Sequence, residues 1–193
     1  VPNNGSWAHG THVAGLLAAT TNNNIGIAST AFNCSVMSIK CTAEAEDPSY
    51  ISNGFEGVLY AAKAGYSSQG FSIINCSWGG IGYNIFEQEL ISMCANEYNA
   101  LIFGAAGNDN IEQAHYPSSY EDMISVTALG QNNSWNHWAT YHQTVDLASP
   151  GESIQSCVNN GSGYSSWNGT SMATPVAASV AGLMKSLYPT WDR

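Results

Sequence analysis

The sequence predicts an α/β fold of three layers: a mostly parallel sheet with helices on both faces. Short apolar runs alternate with stretches whose apolar residues recur at helical spacing, a pattern that demands crossover connections. The strand-like runs are continuously apolar, as strands buried on both sides are. The loops between them are short and rich in Asn, Gly and Ser, as at Thr21–Asn24, Gln131–Asn136 and Val158–Ser166. None is long enough to be a linker, so residues 1–193 read as one domain.

The elements follow in order. Cys34–Cys41 (CSVMSIKC) reads as a strand. Tyr50–Tyr66 reads as a helix, with Ile51, Phe55, Val58, Leu59 and Ala62 on one face. Phe71–Cys76 is a short apolar strand, and Ile85–Tyr98 is a second amphipathic helix. Ala100–Ala106, Met123–Leu129 and Thr144–Ala148 read as further strands. Ser171–Leu187 is a long Ala-rich helix carrying Val176, Val180, Leu183, Met184 and Leu187.

Composition narrows the function. The 193 residues are 44% hydrophobic, enough for a core and too many for a disordered chain. No apolar run approaches the roughly 18 residues of a membrane span. The formal net charge of −10 leaves no basic patch for counterion release, which excludes a nucleic-acid partner. Only 9% of residues are charged, against the usual quarter. A surface so poor in ion pairs points to a secreted protein from a cool or saline setting. Five cysteines (34, 41, 76, 94, 157) leave at least one unpaired within the chain and several two-bridge patterns open. Cys41 and Cys76 end apolar runs and read as buried thiols.

Three small-residue motifs carry chemistry. His9-Gly10-Thr11-His12 sets two histidines three apart on one helix face. A metal-dependent hydrolase built on them lacks further ligands and the intervening Glu of HExxH. Gly169-Thr170-Ser171-Met172-Ala173-Thr174-Pro175 sets Ser171 at a helix N-terminus, where backbone donors favour developing negative charge. Read alone, that serine is equally an N-cap. Pro175 falls within about the first turn. Ala105-Ala106-Gly107-Asn108 closes a strand with an amide at the edge where open parallel sheets bind ligands. Read alone, Asn108 is a turn former.

HGTHVAG, SWGG, AAGN and GTSMATP, in that order, strongly resemble the subtilisin-like serine peptidases. NNNIGI (22–27), Tyr116-Pro117 followed by MISVTA, and DLASPG (146–151) agree, so the resemblance spans nearly the whole chain. It implies a serine endopeptidase acting through an acyl-enzyme, with Ser171 as nucleophile, His9 as general base and Asn108 as oxyanion donor. It implies that Ser77, Trp78, Gly79 and Gly80 pair with an extended polypeptide substrate, and that Ala105, Ala106 and Gly107 form the opposite wall of the pocket for the residue before the cut. Trp78 stands where the family has a smaller apolar residue and should reshape that wall. Tyr116-Pro117 would be a cis-proline turn beside the pocket. No cofactor is required for chemistry. Structural calcium is implied at Thr21, Asn23, Ile25 and Ile27, together with a carboxylate from outside this stretch. An N-terminal propeptide partner, no membrane partner and a secreted location complete the expectation.

One family member is missing. The triad Asp should precede His9 in a D-[ST]-G turn, yet the residues before His9 include no acid. Asp146 belongs to DLASPG and is rejected as a substitute. The family pattern therefore implies a domain incomplete at both ends, with the Asp upstream of Val1. The alternative is a catalytically inactive subtilisin-like scaffold that binds peptide.

Overall fold

The computed structural model describes residues 7–43, 45–47, 49–135, 137–159 and 163–191. Its elements are α1 (Ala8–Ala18), α2 (Gly54–Gln69), β1 (Ser72–Cys76), α3 (Ile85–Glu97), β2 (Ala100–Ala105), β3 (Met123–Leu129), β4 (Leu147–Pro150), β5 (Ile154–Cys157), β6 (Tyr164–Trp167) and α4 (Thr170–Leu187). Strands β1 to β4 form one parallel sheet in that order, with Cys76 opposite Gly104 and Ala105 opposite Val126. β5 and β6 form a separate antiparallel pair.

The continuous apolar strands are explained by helices on both faces. Alternate residues Ile74, Cys76, Ala100, Ile102 and Met123 pack against Val58, Ala61 and Ala62 of α2 and Ile91 and Cys94 of α3. The other set, with Phe103, Val126 and Ala128, packs against Ala173 and Ala178 of α4. The alanines let α4 lie close to the sheet, and α1 packs along it. The layers are those of the three-layer α/β architecture that the sequence predicts.

Local signals set most boundaries. Asn84 caps α3 by accepting from the Phe86 N–H at 3.0 Å. Gly70 ends α2 in the left-handed region at φ 77, donating to Tyr66 O.

Four expectations need correction. Residues 34–41 form no strand, and Val36 and Met37 are exposed. Apolar character alone does not make a strand: a ladder needs a partner, and the sheet ends at β1. The fourth strand is shifted from Thr144–Ala148 to Leu147–Pro150; just before it, the Asp146 N–H donates to Ser125 O at 3.0 Å while the Asp146 carboxylate, in place of a backbone carbonyl, accepts the Ser125 N–H at 2.8 Å. The second helix begins at Gly54, four residues later than its apolar pattern. Tyr164–Trp167, read as partly loop, is a strand opposite Ile154–Cys157. The ends of other elements agree within a residue or so, and the Tyr116–Pro117 bond is cis. All five cysteines are free thiols. Burial pushes Cys76 up to about 12 and Cys94 up to about 11, so both behave as inert core residues.

Candidate active site

Parallel neighbours β1 and β2 release their carboxyl ends side by side, so Ser77–Gly80 and Ala105–Asn108 leave the sheet together. The N-terminus of α4 packs against the same edge. Thr170 is its first residue and Ser171 its second; Gly169, not Ser171, occupies the cap position. The early N–H groups of a helix lack intrahelical partners. Asn108 Oδ1 accepts one of them, from Thr170 at 2.9 Å, and also accepts from Thr170 Oγ1 at 3.1 Å. An oxygen is the only amide atom able to accept from a backbone N–H, which fixes the flip of the side chain. Its Nδ2 therefore points away, with no partner among the described residues. Thr170 Oγ1 in turn accepts from the Gly107 N–H at 3.2 Å. Gly107 is required there: its φ is 103, and a Cβ would stand 3.0 Å from both Thr140 Oγ1 and His115 Cδ2.

Pro175 is the sixth residue of α4, past the first turn where the sequence reading put it. It cannot donate to Ser171 O four residues back. Ser77 Oγ does so instead, at 2.9 Å. The Ser171 Oγ donates back to Ser77 O at 3.3 Å. The wall strand and the nucleophile candidate are thus clamped together by a reciprocal pair.

His9 lies near the start of α1 with its ring stacked on Trp167 at 6.4 Å between centroids. Trp167 sits four residues before Ser171, so it ties α1 to the start of α4. No hydrogen bond joins His9 to Ser171 among the described residues. Beyond that stacking, no hydrogen bond among the described residues orients the imidazole, as a triad carboxylate would. Its pKa is lowered by burial beneath its neighbours and by the charge of His12, although its outer edge is exposed.

His12 does a different job. It is wholly buried, stacks on Trp167 at 4.4 Å and holds Ser165 O at 3.0 Å through Nε2. A carbonyl only accepts, so Nε2 carries the proton. Nε2 is thereby engaged and only the Nδ1 lone pair is left, and among the described residues no three His, Cys, Asp or Glu side chains gather for a metal ion. At the expected calcium positions, Asn23 Oδ1 accepts the Ile25 N–H at 3.0 Å and keeps a second lone pair, beside the neutral backbone carbonyls of Thr21, Ile25 and Ile27. Without a carboxylate, these residues alone do not make a calcium cage.

The wall residues differ in direction. Trp78 does not face Ala105–Gly107. Its indole packs edge-on to Phe55 at 5.3 Å and lines a recess of about 400 Å³ with Tyr50, Ile51, Phe86 and Leu90. The reshaping expected of Trp78 therefore falls on this outer recess. Sequence reasoning missed Thr170, the clamp of Asn108, though it lies inside the GTSMATP motif. It also missed Trp167 and His115, whose positions only the tertiary structure reveals.

Comparison with known proteins places the chain in a class. The Subtilase family matches residues 2–193. The chain belongs to the subtilase family. It is 37% identical over 185 residues to thermitase of Thermoactinomyces vulgaris, covering 96% of this chain and 63% of the relative. Halolysin of Haloferax mediterranei is 36% identical over 180 residues, covering 93% of this chain and 33% of the relative. A solved structure of proteases from Pseudoalteromonas arctica superposes with a TM-score of 0.77 at 30% identity, covering 95% of this chain and 60% of that one. The chain thus spans less than two thirds of each of these proteins.

Proposed function

We propose that the protein is a secreted serine endopeptidase. Ser171 attacks the peptide carbonyl, His9 takes its proton and later gives it to the leaving amine, and an acyl-enzyme forms between the two steps. The Ser171 N–H and Asn108 Nδ2 receive the developing oxyanion. The observation that carries this reading is Asn108: its oxygen is held twice by Thr170, so its free amide is preset before any substrate arrives. The substrate is an extended polypeptide lying along Ser77–Gly80, with alternate side chains entering the slot beside Ala105–Gly107 and the recess at Trp78. The triad carboxylate comes from chain upstream of residue 1.

A second reading, an inactive peptide-binding scaffold, draws on one observation: the Ser171 hydroxyl is turned to Ser77 O rather than to His9. Catalytic hydrogen bonds often tighten only with substrate, which favours the enzyme. Full-length protein treated with a fluorophosphonate decides between them. Stoichiometric labelling mapped to Ser171, absent in Ser171→Ala, is expected. A folded protein that stays unlabelled is the scaffold.

A further inference from the structure

Asn75 lies on β1 between Ile74 and Cys76, and alternation turns it to the sheet face that α4 covers. Its Nδ2 is 2.9 Å from Ser77 Oγ, and Ser77 Oγ is 2.9 Å from Ser171 O. The direction of the protons follows from counting them. Ser77 Oγ carries one proton and Ser171 O can only accept, so that proton goes to Ser171 O. Ser77 Oγ is then an acceptor toward Asn75, and only the amide nitrogen can donate to it. Asn75 Oδ1 is left buried, with no hydrogen-bond partner among the described residues. A buried acceptor without a partner costs stability, so a side chain that only filled this place would serve better without it. The amide is there for its nitrogen.

We propose that Asn75 is a positioning residue for the Ser171 nucleophile: by donating to Ser77 Oγ it aims the single Ser77 proton at Ser171 O. The proposal deepens the peptidase reading and rests on it, because that reading makes Ser171 the attacking group. Pro175 has no N–H to give to Ser171 O, so the Ser77 hydroxyl takes the place of the helical donor. Residue 171 is thereby held from both directions. The chain entering it is fixed by Asn108 Oδ1 at the Thr170 N–H, and the carbonyl leaving it is fixed by Ser77 Oγ. Together these bonds set where the Ser171 side chain points. If the Ser77 hydroxyl turned to Asn75 instead, Ser171 O would lose its donor and the first turn of α4 could shift. A nucleophile displaced by a fraction of an ångström loses rate while the substrate still binds. Asn75 acts through Ser77 and not on the substrate.

The test uses the full-length enzyme and one tetrapeptide p-nitroanilide, with rates counted per Ser171 titrated by fluorophosphonate. Asn75→Asp keeps the shape but offers Ser77 an acceptor, which turns the Ser77 proton away from Ser171 O. It should lower kcat by roughly tenfold or more and leave KM within about twofold. Asn75→Leu removes the donor together with the unpaired oxygen, and it guards against an Asp variant that fails to fold. Its kcat should fall by about threefold or more, again with KM nearly unchanged. The decisive readout is the same pair of substitutions made on Pro175→Ala. There the restored N–H of residue 175 supplies Ser171 O directly, so both losses should shrink to within about twofold of the Pro175→Ala parent. A side chain with a merely structural role, or a carboxylate acting through its charge, would keep its full effect in that background. Titratable variants with wild-type kcat, a loss carried by KM, or a loss of full size on Pro175→Ala overturns the proposal and leaves the peptidase reading intact. A wild type whose Ser171 does not titrate overturns both.

Discussion

Thr170 has a fully buried hydroxyl that joins the two ends of the proposed oxyanion apparatus: it donates to Asn108 Oδ1 and accepts from Gly107 N–H. Thr170→Val keeps the shape and removes both bonds. The buried Gly107 N–H then has no partner, a loss of about 1–3 kcal/mol that denaturant unfolding will read. The amide of Asn108 loses one of its two restraints, so kcat should fall with KM nearly unchanged. The fall should be smaller than that of Asn108→Ala, for which roughly 10²–10³ in kcat is the magnitude established for this family. Equal damage from the two substitutions would show that the Thr170 hydroxyl alone orients the amide, the backbone N–H adding nothing. Neither partner of this bond is visible as such in the sequence. The motifs AAGN and GTSMATP name the residues, but their contact spans 62 positions and exists only because β2 and α4 end at one sheet edge.

At the scale of elements, α4 begins with a defect that a loop repairs. Pro175 leaves Ser171 O without its helical donor, and Ser77 from the end of β1 supplies one. Ser77→Ala should therefore cost about 1–3 kcal/mol, since it orphans a carbonyl at the helix start. Pro175→Ala restores an N–H in the helix, so the double variant should recover much of that loss. A double-mutant cycle from urea unfolding is expected to show coupling of about 0.5–3 kcal/mol. Additive effects would mean that the Ser77 bond is not what offsets the proline. The elements also show what local pattern reaches. Ile85–Glu97 and Met123–Leu129 were legible because their apolar residues sit at helical spacing or in one unbroken run, and the packing agrees with both. Residues 34–41 carry as strong a strand pattern and form none, because pairing is a property of two segments. Tyr164–Trp167 failed in the opposite way: two serines between aromatics give no apolar run, yet the segment finds a partner in Ile154–Cys157. Asn75 was equally silent, a lone amide in a strand whose meaning lies in the hydroxyl it meets at Ser77.

For the molecule as a whole, three histidines share a direction. His9, His12 and His115 all have lowered pKa values, and burial is the largest cause in each. In the unfolded chain each returns to about 6.5. Above that pH both states are neutral at these sites and the groups contribute nothing to pH dependence. As the pH falls below about 6.5, the unfolded chain takes up protons that the folded one refuses, so stability falls until the lowered folded values are reached. The urea midpoint should therefore drop between pH 7 and pH 5. His12 is the most confined, stacked on Trp167 with its Nε2 proton given to Ser165 O. His12→Gln removes one titrating group while keeping a donor, and it should flatten that drop even if it lowers stability at both pH values. The same direction acts on catalysis differently. A general base works only when neutral, so in the proposed mechanism a depressed His9 should extend the acid side of the kcat/KM profile below the ordinary histidine range. Because the triad carboxylate would stabilise the protonated ring, supplying it from upstream chain should move that limb back toward higher pH while raising kcat by about 10⁴. Measuring both quantities in a chain with and without the upstream segment tests this pairing. A large gain in rate with an unmoved acid limb would show that the upstream segment acts by completing the fold rather than by placing a charge beside His9.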